Sequence, residues 1–363
     1  MKRFTSLVMT VLLCISLCGC TSWMEGAHTS VKPHKTNTVQ PDKNVIEVFN
    51  YQDLQNALLN LVHSGDETAV LSVSQINQQS IDYYMEAAIR YVTDTDAIGA
   101  YAVDEITYEQ GTTAGKPALA IKIAYRRDRL QVIRMQSVET MEDFNQVITE
   151  SLENLDSECV VLVKNYQQTN CIKLVRDAFR ENPQSIMESP SVVSYIYPES
   201  GSERVVELQF TYENSETDLR TMQSMVEPVF AAAELYVSGS RSDWSKFAQL
   251  YAFLMERNDY KIEPSITPSY HLLHYGVGDS DAFATVYSAM CRGAGLSCEN
   301  ITGTKDGEPW SWNQITIEGT VYYLDLLECE KNGGFFVKGL SDMSRYEWEK
   351  KLRVNFVFFA KVY

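Results

Sequence analysis

Two stretches of this chain, roughly 90 residues apart, carry the same order of hydrophobic periods, and a fixed offset of that kind marks one folding unit used twice. In the first stretch, 52–62 has a helical apolar period, 69–71 is a short strand and 81–92 a second helix. Strands over 101–108 and 118–125 complete it. In the second stretch, 141–155 reads as a helix, 160–163 as a strand and 171–179 as a helix, with strands over 192–197 and 205–212. Single residues recur as well. Asp53-Leu54 stands against Asp143-Phe144, and Lys122-Ile123-Ala124-Tyr125 against Gln209-Phe210-Thr211-Tyr212. Each copy predicts a small α/β layer of two helices on a three-stranded sheet, over 44–130 and 131–216. Neither copy holds a Gly-rich phosphate loop or a cluster of catalytic residue types, and His63 falls at the end of a helix. A spacer or recognition module is the expectation for both.

What precedes the repeats sets the compartment. Lys2 and Arg3 are followed by an apolar run over 4–17 and then by Cys18-Gly19-Cys20. A basic start, a short apolar core and a small-residue end describe a secretory leader over 1–19. The run falls short of the roughly 20 apolar residues a membrane-spanning helix needs. Leu17-Cys18-Gly19-Cys20 resembles the bacterial lipobox. That resemblance implies cleavage before Cys20 and acylation of its thiol, so that membrane lipid is a partner through Cys20. Residues 20–43 are polar, rich in Ser, Thr, Pro and Lys, and read as a flexible tether. The expected location is the outer face of a bacterial membrane.

The formal charge of the 363-residue chain is −17. Loss of Lys2 and Arg3 with the leader takes it to about −19, which argues against nucleic acid or anionic lipid as a partner of the folded body. Beyond Cys20, five cysteines remain: Cys159, Cys171, Cys291, Cys298 and Cys329. No C-x-x-C pair and no Cys/His metal spacing occurs among them, so neither metal nor cofactor is expected. Buried small hydrophobes are the plain reading of all five. A Cys298–Cys329 disulfide is the one pairing considered, both residues being expected on neighbouring strands.

The last third, 217–363, differs from the repeats. Helices are expected over 217–235 and 243–258, the second with Trp244, Phe247, Leu250, Tyr251 and Leu254 on one face. Then come a segment with His271, His274 and Tyr275, the run Gly278-Asp279-Ser280-Asp281-Ala282-Phe283-Ala284 opening a helix, and Gly295-Leu296 closing it. A strand over 298–303, Trp310-Ser311-Trp312-Asn313, and a strand 321–325 ending at Asp325 follow. After the turn at Gly333-Gly334, 335–338 and 356–362 read as further strands.

This order resembles the transglutaminase-like superfamily, whose core is papain-like. The resemblance spans about 243–342, and it implies a nucleophilic Cys at the helix start, a His on the adjacent strand and an orienting acid on the next. Carried over by spacing, those positions fall on Ser280, Trp310 and Asp325, so one member of three keeps its chemistry. Serine needs a strong neighbouring base to act as a nucleophile, and indole is not a base. The expected fold class is therefore α+β: a transglutaminase-like domain preceded by two tandem α/β units of ααβββ content. The expected function is that of an inactive member of the family, with Tyr275, Trp310, Trp312 and Asn313 lining an aromatic groove for a peptide, cell-wall or protein ligand. The alternative is an altered hydrolase or acyltransferase using Ser280 with His271 or His274, or using Cys291 as a displaced nucleophile. Asp279-Ser280-Asp281 also reads as a helix cap.

Overall fold

The computed structural model describes residues 45–256 and 261–349. The leader, the tether with Cys20, and the strand expected over 356–362 lie outside them. The chain folds as α+β, in three layered bodies.

The two repeats have one topology. In the first, β1 (Val45–Glu47), β2 (Thr68–Ser72), β3 (Val103–Thr113) and β4 (Lys116–Tyr125) pair in the order β1-β2-β4-β3, with α1 (Tyr51–His63) and α2 (Ile81–Asp94) on one face. In the second, β5 (Gln136–Val138), β6 (Glu158–Val163), β7 (Ser191–Tyr197) and β8 (Arg204–Thr211) pair as β5-β6-β8-β7, with α5 (Met141–Asn154) and α6 (Cys171–Glu181) on one face. A short helix α4 (Arg129–Ile133) joins the units. Each sheet thus has four strands, where the sequence predicts three. The extra member is a three-residue parallel edge strand, too short to show an alternating pattern.

The dipeptides shared by the copies have a physical origin. Asp53 and Asp143 are the third residues of α1 and α5, where each carboxylate reaches back to the chain just before its helix, accepting from Phe49 N and Thr140 N respectively. Leu54 and Phe144, one residue on, are fully buried against their sheets. Tyr101, expected on a strand, instead lies in α3 (Ala97–Ala102), which Asp96 caps by accepting from Gly99 N at 2.8 Å. This helix packs on Leu162 and Val205, on the side of the second sheet away from its own helices. Arg127 reaches the fully buried Glu207 at 2.5 Å beside it. The first unit therefore covers a face of the second, a long-range packing choice that local periodicity does not encode.

In the C-terminal body, α7 (Glu216–Val237) and α8 (Asp243–Met255) pack against a central helix, α10 (Ser280–Gly293). A short turn α9 (Pro268–Tyr270) and a π-helical turn over His271–Tyr275 precede α10, beside a two-stranded pair of β9 (Lys261–Ile262) and β10 (Val277–Gly278). The sheet consists of β11 (Cys298–Lys305), β12 (Glu308–Ile317), β13 (Thr320–Leu324) and β14 (Tyr346–Glu347), ordered β13-β12-β11-β14. The strand expected over 335–338 reduces to one bridge, Tyr323 to Lys338. Cys329, expected on a strand, lies in a helix, α11 (Leu326–Lys331), and all five described cysteines are free thiols, so Cys298 and Cys329 are not joined. Among the described residues, no helix is long and apolar enough to cross a membrane.

Candidate functional site

Helix α10 carries Ser280, the residue expected at the nucleophile position. Asp279 is its cap, accepting from Ala282 N at 2.9 Å. Capping therefore falls to Asp279 rather than to the Asp279-Ser280-Asp281 run as a whole. Ser280 is the first helical residue and nearly buried. Its Oγ accepts the backbone N–H of Ser311 at 3.1 Å. Asp281, one residue on, accepts from Arg180 Nη2 at 2.9 Å, Ser311 Oγ at 2.9 Å and Asn300 Nδ2 at 3.3 Å. Arg180 comes from α6 of the second repeat and also donates to Thr302 Oγ1 at 3.1 Å. The repeat is thereby pinned to the start of the helix that carries Ser280.

Strand β12 carries Trp310, the residue expected at the histidine position. Trp310 is half-buried and directly precedes the amide that holds Ser280. Its Nε1 donates to Asp325 Oδ2 at 2.9 Å. Asp325 caps α11 through Oδ1, which accepts Glu328 N at 3.1 Å. Its Oδ2 also takes Lys305 Nζ at 2.6 Å and Tyr346 Oη at 2.8 Å. The three positions read from the sequence are thus brought together: Ser280 bonds to the residue after Trp310, and Trp310 bonds to Asp325.

The surroundings oppose proton shuttling. An indole N–H donates and has no second ring nitrogen to accept, so the Trp310–Asp325 bond holds its proton in one place. Lys305 sits 5.1 Å from the ring centres of both Trp310 and Tyr346. Glu328 lies behind Asp325 and takes Lys305 at 3.2 Å, Lys338 at 2.5 Å, and the Tyr346 hydroxyl. Burial by itself would raise the Glu328 pKa; hydrogen bonds from Lys338 and Tyr346, with the charge of Lys305, outweigh it and pull the group down to about 2. Burial, with Glu328 and Asp325 beside it, keeps the Tyr346 hydroxyl protonated far above its ordinary range.

Neither histidine rescue is assembled. His271 Nδ1 lies 2.7 Å from both Ser265 Oγ and Thr267 Oγ1, and His274 stacks on Tyr270 with ring centres 5.1 Å apart. Among the described residues, no hydrogen bond joins an imidazole to Ser280 or to a cysteine sulfur. The third rescue fails as well. Cys291 is fully buried in the core, and burial first of all raises its pKa well above the usual thiol value, which leaves no thiolate. The same cause raises Cys159, Cys171 and Cys329.

The expected aromatic groove is not built from its four residues. Side chains on β12 alternate, so Asn313 turns to α10, fully buried, and donates to Ala284 O at 2.8 Å. Trp312 turns the other way and is closed over by Tyr346 and Trp348, with ring centres at 5.0 and 5.4 Å; 1% of it is exposed, too little to touch a ligand. Tyr275 is 59% exposed but packs with Tyr270 and His274 on the π-helical turn. Of the four, Trp310 alone belongs to the cluster around Asp325.

A cavity of about 290 Å³ opens beside Ser280, between α10 and the second repeat. Phe179, Ile266, Pro268 and Ala282 give it apolar walls, and Glu213 and Asp279 stand among its acidic groups. Sequence reasoning missed Lys305, Tyr346 and Arg180. Lys305 and Tyr346 lie in segments without a clear period, and Arg180 comes from another body 101 residues from its partner. Among the described residues, no three His, Cys, Asp or Glu side chains converge as a metal site.

Residues 231–329 match the model of the transglutaminase-like superfamily core. Among solved structures, the chain is similar to a proposed protease from Parabacteroides distasonis ATCC 8503, at 10% identity and a TM-score of 0.23, over 71% of this chain and 39% of that one. It is also similar to a TGase at 9% identity and a TM-score of 0.26, over 63% of each chain. The chain spans less than two thirds of either relative. No curated protein matches it. Ser280, Trp310 and Asp325 all fall inside the matched span, and residues 231–329 form a transglutaminase-like domain.

Proposed function

We propose that this transglutaminase-like domain has given up acyl transfer and serves as a binding body, held at the outer face of a bacterial membrane by acylated Cys20. The observation that carries the loss of catalysis is the Trp310–Asp325 hydrogen bond. The acid that would orient an imidazole is taken by an indole, and Lys305 and Tyr346 occupy the same carboxylate oxygen. A serine with no adjacent base keeps its proton at neutral pH. Its Oγ is engaged by the Ser311 amide, and Asp281 beside it disfavours any developing negative charge.

The cavity between α10 and the second repeat is the proposed seat of a ligand side chain. Its mix of apolar wall and carboxylates suits a peptide or wall peptide better than an anionic polymer. The second repeat then acts as the other wall of the binding site, held to α10 by Arg180.

Incubation of the purified protein with a glutamine-containing acyl-donor protein and a labelled amine as acceptor, and separately with a peptide library, tests the loss of chemistry. The expected result is no incorporation and no cleavage above a Ser280→Ala control. Turnover that disappears in that control would overturn the reading. Anchoring has its own test: mass spectrometry of the mature N-terminus is expected to find a diacylglyceryl group on Cys20. Cys20→Ser should release the protein to the medium; retention at the membrane with Cys20 unmodified would refute the anchor.

A further inference from the structure

The end of α10 opposite Ser280 brings two thiols together across a tight reversal of the chain. Leu296 N donates to Cys291 O and Gly295 N to Arg292 O, both at 2.9 Å, and Gly295 takes the left-handed conformation (φ +74°) that this reversal needs. Residue 296 is thereby folded back over residue 291, and β11 begins two residues later at Cys298. Cys298 pairs with Ile315 of β12, and Cys298, Ile315 and Cys291 lie in one apolar cluster between α10 and the sheet. Burial first, and then the neighbouring Cys298 thiol, raises the Cys291 pKa well above the usual thiol value. Both residues are sealed from solvent, Cys291 fully and Cys298 almost so.

We propose that Cys291 and Cys298 are a disulfide-forming pair that fastens the helix carrying Ser280 to the sheet carrying Trp310. Formation uses an external disulfide, of a small molecule or a thiol oxidoreductase, as oxidant. The thiolate of one cysteine attacks the oxidant's disulfide and gives a mixed disulfide. The second cysteine then displaces the oxidant's remaining sulfur. One S–S bond forms in the protein, one breaks in the oxidant, and the oxidant leaves as two thiols carrying the two protons. Because the folded core excludes solvent from both sulfurs, the exchange belongs to folding, before the apolar cluster closes.

The site lies outside the triad positions, so its failure leaves the reading of the triad untouched. The test uses the full chain refolded in a mixture of reduced and oxidised glutathione, denatured, alkylated with iodoacetamide and digested with trypsin without reductant. Cleavage at Arg292 separates the two cysteines into peptides 262–292 and 293–305, while Cys329 falls in 306–331. The expected product is 262–292 joined to 293–305. The same refolded protein should melt several degrees lower after reductant, and Cys298→Ser should lose both the crosslink and that sensitivity. Recovery of both cysteines alkylated, or a link from either to 306–331, overturns the proposal.

Discussion

The indole Nε1 of Trp310 donates to Oδ2 of Asp325 across 2.9 Å, a bond from strand β12 to the cap of α11 in which the ring donates and cannot accept. Building a Cys–His pair at the positions of Ser280 and Trp310 is a direct test of the proposed loss of chemistry. Ser280→Cys puts a thiol at the start of α10, and Trp310→His puts an imidazole between it and Asp325. At pH 7, iodoacetamide should alkylate the introduced thiol about tenfold faster in the double variant than in Ser280→Cys alone, because an adjacent imidazolium and a helix N-terminus lower a thiol pKa. The buried native thiols give little background. Equal rates in the two variants would mean that ring and thiol do not meet.

Lys305 and Trp310 both bond to Asp325, but they differ in charge, and their removal should differ in cost. Lys305→Met leaves Asp325 and Glu328 buried with one cation fewer, which should cost about 3–5 kcal/mol. Trp310→Phe removes one of three donors to Oδ2 and should cost about 1.5–3 kcal/mol. Urea unfolding followed by far-ultraviolet circular dichroism reads both. A smaller loss for Lys305→Met than for Trp310→Phe would refute its role as counter-ion.

Glu328 sets an acid limit. Its folded pKa, about 2, lies below the ordinary value of 4.5, so it stabilises the fold fully above pH 4.5 and loses that contribution as pH falls towards 2. Melting temperature measured from pH 5 to pH 2 should fall steadily in the wild type. Glu328→Gln should be less stable at pH 7 and show a shallower acid slope. Parallel slopes would place the acid sensitivity elsewhere.

His63 gives the opposite sign. Its hydrogen bond to Asp96 raises its pKa, while burial works against this, and its Nε2 lies 3.0 Å from both carboxylate oxygens. A raised folded pKa means a contribution present in full below pH 6.5 and lost as pH rises through the folded value. The His63 ring, followed by proton NMR, should titrate above 6.5, and His63→Gln should remove a small loss of stability between about pH 6 and pH 8. With the ring 42% exposed, the effect should be modest. A ring titrating at or below 6.5 would contradict the pairing.

Much of the fold was legible because it is local. Capping residues, 3.6-residue periods and Gly turns lie within a few positions of each other, so α1, α5, α8 and α10 start where Asn50, Thr140, Ser242 and Asp279 stand. Spacing also singled out Ser280, Trp310 and Asp325, which the fold links through the Ser280–Ser311 and Trp310–Asp325 hydrogen bonds. The groove was not. Whether Trp312 faces solvent depends on Tyr346 and Trp348, more than 30 residues further along the chain, closing over it.

The sequence by itself determined the repeated unit and the α+β class, since both follow from short-range pattern. Tertiary structure alone decided that Lys305 and Tyr346 occupy the Asp325 carboxylate and that Arg180 brings the second repeat onto α10. Those pairings are set by how buried charges find partners and how apolar faces close, and the energy of such contacts depends on neighbours in space that no local period records.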